Sequence, residues 1–155
     1  MKRTDIALMI LMAMPLGAQA GTGCELVVPQ FAFGAYQLLD IAPTDASALL
    51  EVRCMVDGQT AATVSYTIAI GPSPGGSLAP RSMIGPGDTL RYNLYANGSR
   101  TLVWGDGSQG SVTVSGSLNL PGQSSVSHPI FGRIPPGQLV TAGQYGDQLM
   151  IQLSF

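Results

Sequence analysis

The sequence predicts an all-β fold, and three observations carry that prediction. Residues 147–155 alternate, with Leu149, Ile151, Leu153 and Phe155 on one face and Gln148, Met150, Gln152 and Ser154 on the other. This is the period of a half-buried strand, and only Met150 blurs its polar side. Residues 63–70 repeat the pattern, Val64, Tyr66, Ile68 and Ile70 alternating with Thr63, Ser65, Thr67 and Ala69. No long segment has a helical period, and 20 Gly and 11 Pro among 155 residues punctuate nearly every gap between apolar runs. That share, about a fifth, is below the level of disordered low-complexity chains. Short strands divided by turns over one domain length imply a β-sandwich of immunoglobulin type.

Taken in order, the first twenty residues stand apart from the fold. Lys2 and Arg3 form a basic start, residues 6–16 an apolar run, and Ala18-Gln19-Ala20 a small-residue cleavage site. This is the anatomy of a secretory signal peptide, and the run is too short for a bilayer, which needs about 20 residues. Cleavage after Ala20 is expected, leaving residues 21–155 as one domain with no membrane anchor. Candidate strands within it are 25–28, 48–54, 63–70, 90–96, 111–120, 125–131 and 147–155. Gly71-Pro72-Ser73-Pro74-Gly75-Gly76 and residues 84–88 must be loops. Asn97-Gly98 is the strongest hairpin signal, joining 90–96 to 101–104, because both residues tolerate positive φ.

Charge is sparse. Without Lys2, Arg3 and Asp5 the chain keeps five Arg, no Lys and eight acids, a net charge of −3. No basic patch exists for nucleic acid. Cys24 and Cys54 are an even pair in an exported chain, so a disulfide is expected. Closing a loop of that length contributes about 3–4 kcal/mol in the chain-entropy view.

No catalytic constellation is legible. His128 is alone beside Pro129, and no Lys or free Cys stands ready to activate a nucleophile. Residues 106–110 nearly match a G-x-S-x-G elbow, but Asp106 holds the first position and no strand–turn–helix context surrounds it. Asp88 and Asp106 lack partners at metal-ligand spacing. These residues read as surface and turn positions, the chain as no enzyme with no cofactor or metal. Asn97-Gly98-Ser99 matches a glycosylation sequon formally, but the turn is the preferred reading.

Several local patterns occur together and in order. They are Cys24; Phe33-Gly34-Ala35-Tyr36; Val52-Arg53-Cys54; Arg81-Ser82-Met83; and Leu90-Arg91-Tyr92-Asn93-Leu94-Tyr95. Then come Trp104-Gly105-Asp106-Gly107; Ile130-Phe131-Gly132-Arg133-Ile134; and Ala142-Gly143-Gln144-Tyr145-Gly146-Asp147 before the closing strand. Across residues 21–155 this resembles the spore coat protein U domain family, which includes subunits of archaic chaperone–usher pili. The resemblance implies an incomplete immunoglobulin-like sandwich, completed by a donor strand from another chain. It further implies a disulfide between the first and second Cys and no catalysis. Its implied partners are a periplasmic chaperone, an outer-membrane usher and other pilus subunits, with export through the periplasm to an extracellular fimbrium.

On that reading Leu149, Ile151, Leu153 and Phe155 line the strand-acceptor and chaperone edge. From the residues alone a second reading stays open, in which 147–155 is a central strand paired on both sides. One departure from the family is clear. Its polymerising subunits carry a donor extension of alternating residues before the first Cys, whereas only Gly21, Thr22 and Gly23 separate the cleavage site from Cys24. At about 3.3 Å per residue these cannot fill a neighbour's groove, which suits a strand-accepting subunit at a pilus tip, supporting adhesion and biofilm formation. The alternatives are a free-standing secreted surface- or carbohydrate-binding module, with Tyr36, Tyr95 and Trp104 as its platform, and a spore- or cell-coat structural protein.

Overall fold

The computed structural model describes residues 21–56, 61–120 and 123–155; the expected signal peptide at 1–20 lies outside them. Among the described residues eight strands are present: β1 (Thr22–Val27), β2 (Thr44–Val56), β3 (Ala62–Ile70), β4 (Arg81–Ile84), β5 (Thr89–Tyr95), β6 (Val114–Leu120), β7 (Gln123–Ile134) and β8 (Ile151–Ser154). They form a five-stranded sheet in the order β1-β2-β7-β5-β4 and a three-stranded sheet in the order β6-β3-β8. All named pairings are antiparallel. The all-β immunoglobulin-like expectation holds.

Alternation decides what each strand buries. Leu50, Val52 and Cys54 on β2 and Ile130 and Ile134 on β7 face Val64, Tyr66, Ile68 and Ile70 on β3 and Leu118 and Leu120 on β6. Such β-branched and aromatic residues suit a pleated surface covered on one side. Trp104 closes one end of the core, fully buried, with Nε1 donating to the Ile68 carbonyl at 3.1 Å. Glycine occupies the crowded points: a Cβ at Gly132 would meet the Phe31 and Phe33 rings at 2.6–2.7 Å.

The strand limits differ from the alternation pattern in instructive places. β2 and β7 run well beyond 48–54 and 125–131, because their ladder continues from Thr44↔Ile134 to Met55↔Gln123. β4 had no alternating signal at all; it is held by pairing with β5 and by the burial of Arg81. In 111–120 only Val114–Leu120 pairs with β3, while Val112 makes an isolated bridge to Trp104. The 147–155 strand begins only at Ile151, since the preceding residues cross between the sheets.

The hairpin joining 90–96 to 101–104 forms, with Tyr95 opposite Val103, but the tight turn expected at Asn97-Gly98 is a correction. The positive φ falls on Arg100 (56°), and the loop closes with the Ala96 N–H donating to the Leu102 carbonyl. Asn97 acts through its side chain instead, its Oδ1 accepting from the N–H of Thr101 and Leu102. A side-chain acceptor at the loop's start competes with the tight two-residue turn.

Candidate strand-accepting groove

β8 pairs with β3 in the register Ile70↔Ile151, Ala69↔Gln152, Ile68↔Leu153 and Thr67↔Ser154. Among the described residues its other edge has no strand beside it, so the reading of 147–155 as a doubly paired central strand fails. Leu149, Ile151 and Leu153 are half-buried and pack against the core, whereas Phe155 is 59% exposed. The alternating face is therefore turned inward up to Leu153, and Phe155 extends past the cover.

Beside this edge runs a groove of about 1320 Å³. Leu149 and Ile151 line one wall with the preceding segment from Val140, and residues 28–40 form the other. Tyr92 and Leu94 of β5 and Ile130 and Ile134 of β7 are its floor. Residues 28–37 belong to no strand, yet Phe31 and Phe33 turn inward. Their rings meet edge-on at 5.2 Å, and Phe33 meets Tyr92 at 5.7 Å. Hydrophobic side chains thus fill part of the space while no backbone ladder occupies it. Chemically, such a groove can take an extended apolar chain and pair its backbone.

One end of the groove is polar. Asp147 Oδ2 accepts from Tyr92 Oη at 2.7 Å and Ser73 Oγ at 2.5 Å, and its Oδ1 accepts from the Gln148 N–H. Burial, reinforced by the Asp147 carboxylate, pushes the Tyr92 phenol well above its ordinary range. Close by, Arg81 is fully buried and donates to the carbonyls of Ile70, Gly71 and Trp104 and to Asn93 Oδ1. Burial lowers its pKa, opposed by the charge of Asp147. Every buried side-chain nitrogen and oxygen among the described residues has a hydrogen-bond partner.

Of the other singled-out residues only Tyr36 lines the groove. Cys24 and Cys54 face each other across β1 and β2 and are bonded. His128 is half-buried between the sheets, 2.8 Å from Tyr66 Oη and edge-on to Tyr66 and Trp104, which corrects its reading as a surface residue. Asp88 accepts from Thr141, and Asp106 Oδ1 accepts from the Ser108 N–H, a turn contact. No group of three His, Cys, Asp or Glu among the described residues could hold a metal. Trp104 is buried and Tyr36 and Tyr95 are half-buried, so they form no exposed platform. The sequence reading missed the groove's floor and the Arg81–Asp147 cluster; the inward Phe31 and Phe33 had left a signal, their two-residue spacing before Gly34.

The fold is thus an immunoglobulin-like sandwich with an apolar groove beside an edge strand that, among the described residues, has no neighbour on its outer side. The chain belongs to the Spore Coat Protein U domain family, whose profile matches residues 10–152. No curated protein matches it. Among solved structures it is similar to a chain in the crystal structure of the CsuC–CsuE chaperone–tip adhesion subunit pre-assembly complex from archaic chaperone–usher Csu pili of Acinetobacter baumannii. The TM-score is 0.51 at 20% identity, over 86% of this chain and 40% of that one. This chain therefore spans well under half the length of that neighbour, and the likeness is one of fold.

Proposed function

We propose that this domain is a structural subunit of an archaic chaperone–usher pilus, exported through the periplasm to the fimbrium, where it accepts a strand from another subunit. The open edge of β8 beside an apolar groove carries the reading. A strand laid there buries several apolar side chains, each stabilising by about 1.5–3 kcal/mol, and pairs the free backbone groups of the edge. The similar fold in a chaperone–subunit pre-assembly complex supports a periplasmic chaperone as the first occupant, with an usher receiving the pair.

Its place at a tip, and a role in adhesion and biofilm formation, is the finer part of the proposal. Thr22 and Gly23 already pair with Val56 and Met55, so cleavage after Ala20 leaves only Gly21 ahead of β1. A subunit so trimmed receives a strand and has none to give.

Co-expression with a periplasmic chaperone of the archaic chaperone–usher type tests the reading. The expected result is a one-to-one complex in the periplasm, lost when Ile151→Asp places an unpaired charge in the groove. A stable, monomeric protein indifferent to the chaperone would instead favour a free-standing secreted module. For the tip assignment, N-terminal sequencing of the exported protein should read Gly-Thr-Gly. A mature start ten or more residues earlier would restore a donor strand and overturn that assignment.

A further inference from the structure

We propose that Asp147 is a positioning residue that sets the register of the acceptor edge. The meaning given to that edge rests on the strand-accepting reading above; the register itself does not. Gly146 still belongs to the β4 side, exchanging both backbone hydrogen bonds with Ile84 at 2.8 and 3.0 Å. Four residues later Met150 accepts from the Gly71 N–H at 2.8 Å, and Ile151 lies opposite Ile70. The chain has changed sheets between them, and residues 147–150 belong to no ladder.

The alternating sequence cannot by itself choose where this crossing lands. A slip of one residue would turn Leu149, Ile151 and Leu153 to solvent and is excluded by the period of two. A slip of two that brings Leu149 to the place of Asp147 leaves Ile151, Leu153 and Phe155 on the inner face and is nearly degenerate in burial, whereas the opposite slip carries Asp147 inward to the place of Leu149. Asp147 breaks the degeneracy, because its Oδ2 at this position accepts from both Tyr92 Oη and Ser73 Oγ. After a two-residue slip Leu149 in one direction, or Tyr145 in the other, would replace the carboxylate that faces those two hydroxyls.

Both hydroxyls are themselves fixed. Tyr92 is buried on β5, and Ser73 is buried with its Oγ accepting from the Ser82 N–H at 3.0 Å. Arg81, the neighbour of Ser82, holds the Ile70 and Gly71 carbonyls at 3.0 Å, and these two residues are where the crossing lands. One buried polar cluster thus fixes both the start and the end of the crossing.

Disulfide trapping reads the register directly, with Cys24–Cys54 left in place. Ala69→Cys paired with Gln152→Cys reports the observed register; Ala69→Cys with Met150→Cys or with Ser154→Cys reports slips of two in either direction. With Asp147 present, cross-linking should occur at 152 alone. In Asp147→Ala the slipped cross-links should rise about ten-fold or more for each charge-assisted hydrogen bond lost. Asp147→Asn should recover part of the native register. Should Asp147→Ala fail to fold, Tyr92→Phe with Ser73→Ala removes both donors and is judged by the same readout. Cross-linking confined to 152 in these variants, even with a lower melting temperature, overturns the proposal. An Ala69→Cys, Gln152→Cys protein with Asp147 intact that cross-links at 152 yet binds no donor peptide would defeat the strand-accepting reading and leave the register proposal standing.

Discussion

Arg81 is the residue on which most of the fold's polar accounting depends. Its guanidinium answers three backbone carbonyls and one amide oxygen in a place water does not reach. Arg81→Ala should destabilise by about 3–5 kcal/mol, because it leaves those acceptors buried and unpaired. Arg81→Lys should not restore the loss, since an ammonium lacks the planar fork that reaches them together. Urea denaturation with unchanged slope checks both. His128 makes a different prediction. Burial lowers its pKa below the ordinary value of about 6.5, so the folded state takes up the proton less readily than the unfolded chain. Stability should then fall as pH drops below about 6.5 and level off once pH is below the folded value. His128→Gln should flatten that segment of the stability–pH curve. Carboxylates held low by partners, such as Asp45 beside Arg133, act only at more acid pH.

At the scale of elements, β1 depends on few neighbours. Among the described residues it pairs only with β2, and it is bonded to it through Cys24 and Cys54, 30 residues apart. Replacing both cysteines by serine should cost about 3–4 kcal/mol, seen as a lower melting temperature and early loss of protection in residues 22–27. Gly132 on β7 tests how the groove is filled. Gly132→Ala drives a methyl into Phe31 and Phe33 and should destabilise by about 1–3 kcal/mol. Because the groove next to those rings is open, part of the strain should be relieved by their displacement. Weaker near-ultraviolet dichroism from the aromatic cluster, at nearly native far-ultraviolet signal, would report it.

The molecule as a whole carries an apolar groove that its own strands leave unfilled. Exported alone, it should associate with itself at micromolar concentrations, because a large exposed apolar patch recruits other chains. A peptide with alternating apolar residues, bound only by the folded form, should raise the melting temperature. At a hundred times its Kd the gain should be about 2.7 kcal/mol. Ile151→Asp should abolish that gain. A melting temperature indifferent to the peptide would mean that Phe31 and Phe33 already complete the sandwich.

What the sequence determined by itself was local and periodic. The all-β class, the alternation of β3, the inward face of Leu149, Ile151 and Leu153, and the two half-cystines follow from spacing and composition, which act between near neighbours. The family patterns added the expectation of an incomplete sandwich. Several decisions belonged to tertiary structure alone. β4 carries no alternation and exists because β5 and the buried Arg81 hold it. Asn97-Gly98 had the local preference for a tight turn, but the Asn97 side chain found backbone donors further along the loop. His128 looked solitary because its partner Tyr66 lies 62 residues away on the facing sheet. The two-residue degeneracy of the closing strand could be resolved only by Asp147 meeting Tyr92 and Ser73, groups brought together from distant parts of the chain. Periodicity records which face of a strand is buried; which partner it meets there is settled only when the sheets pack.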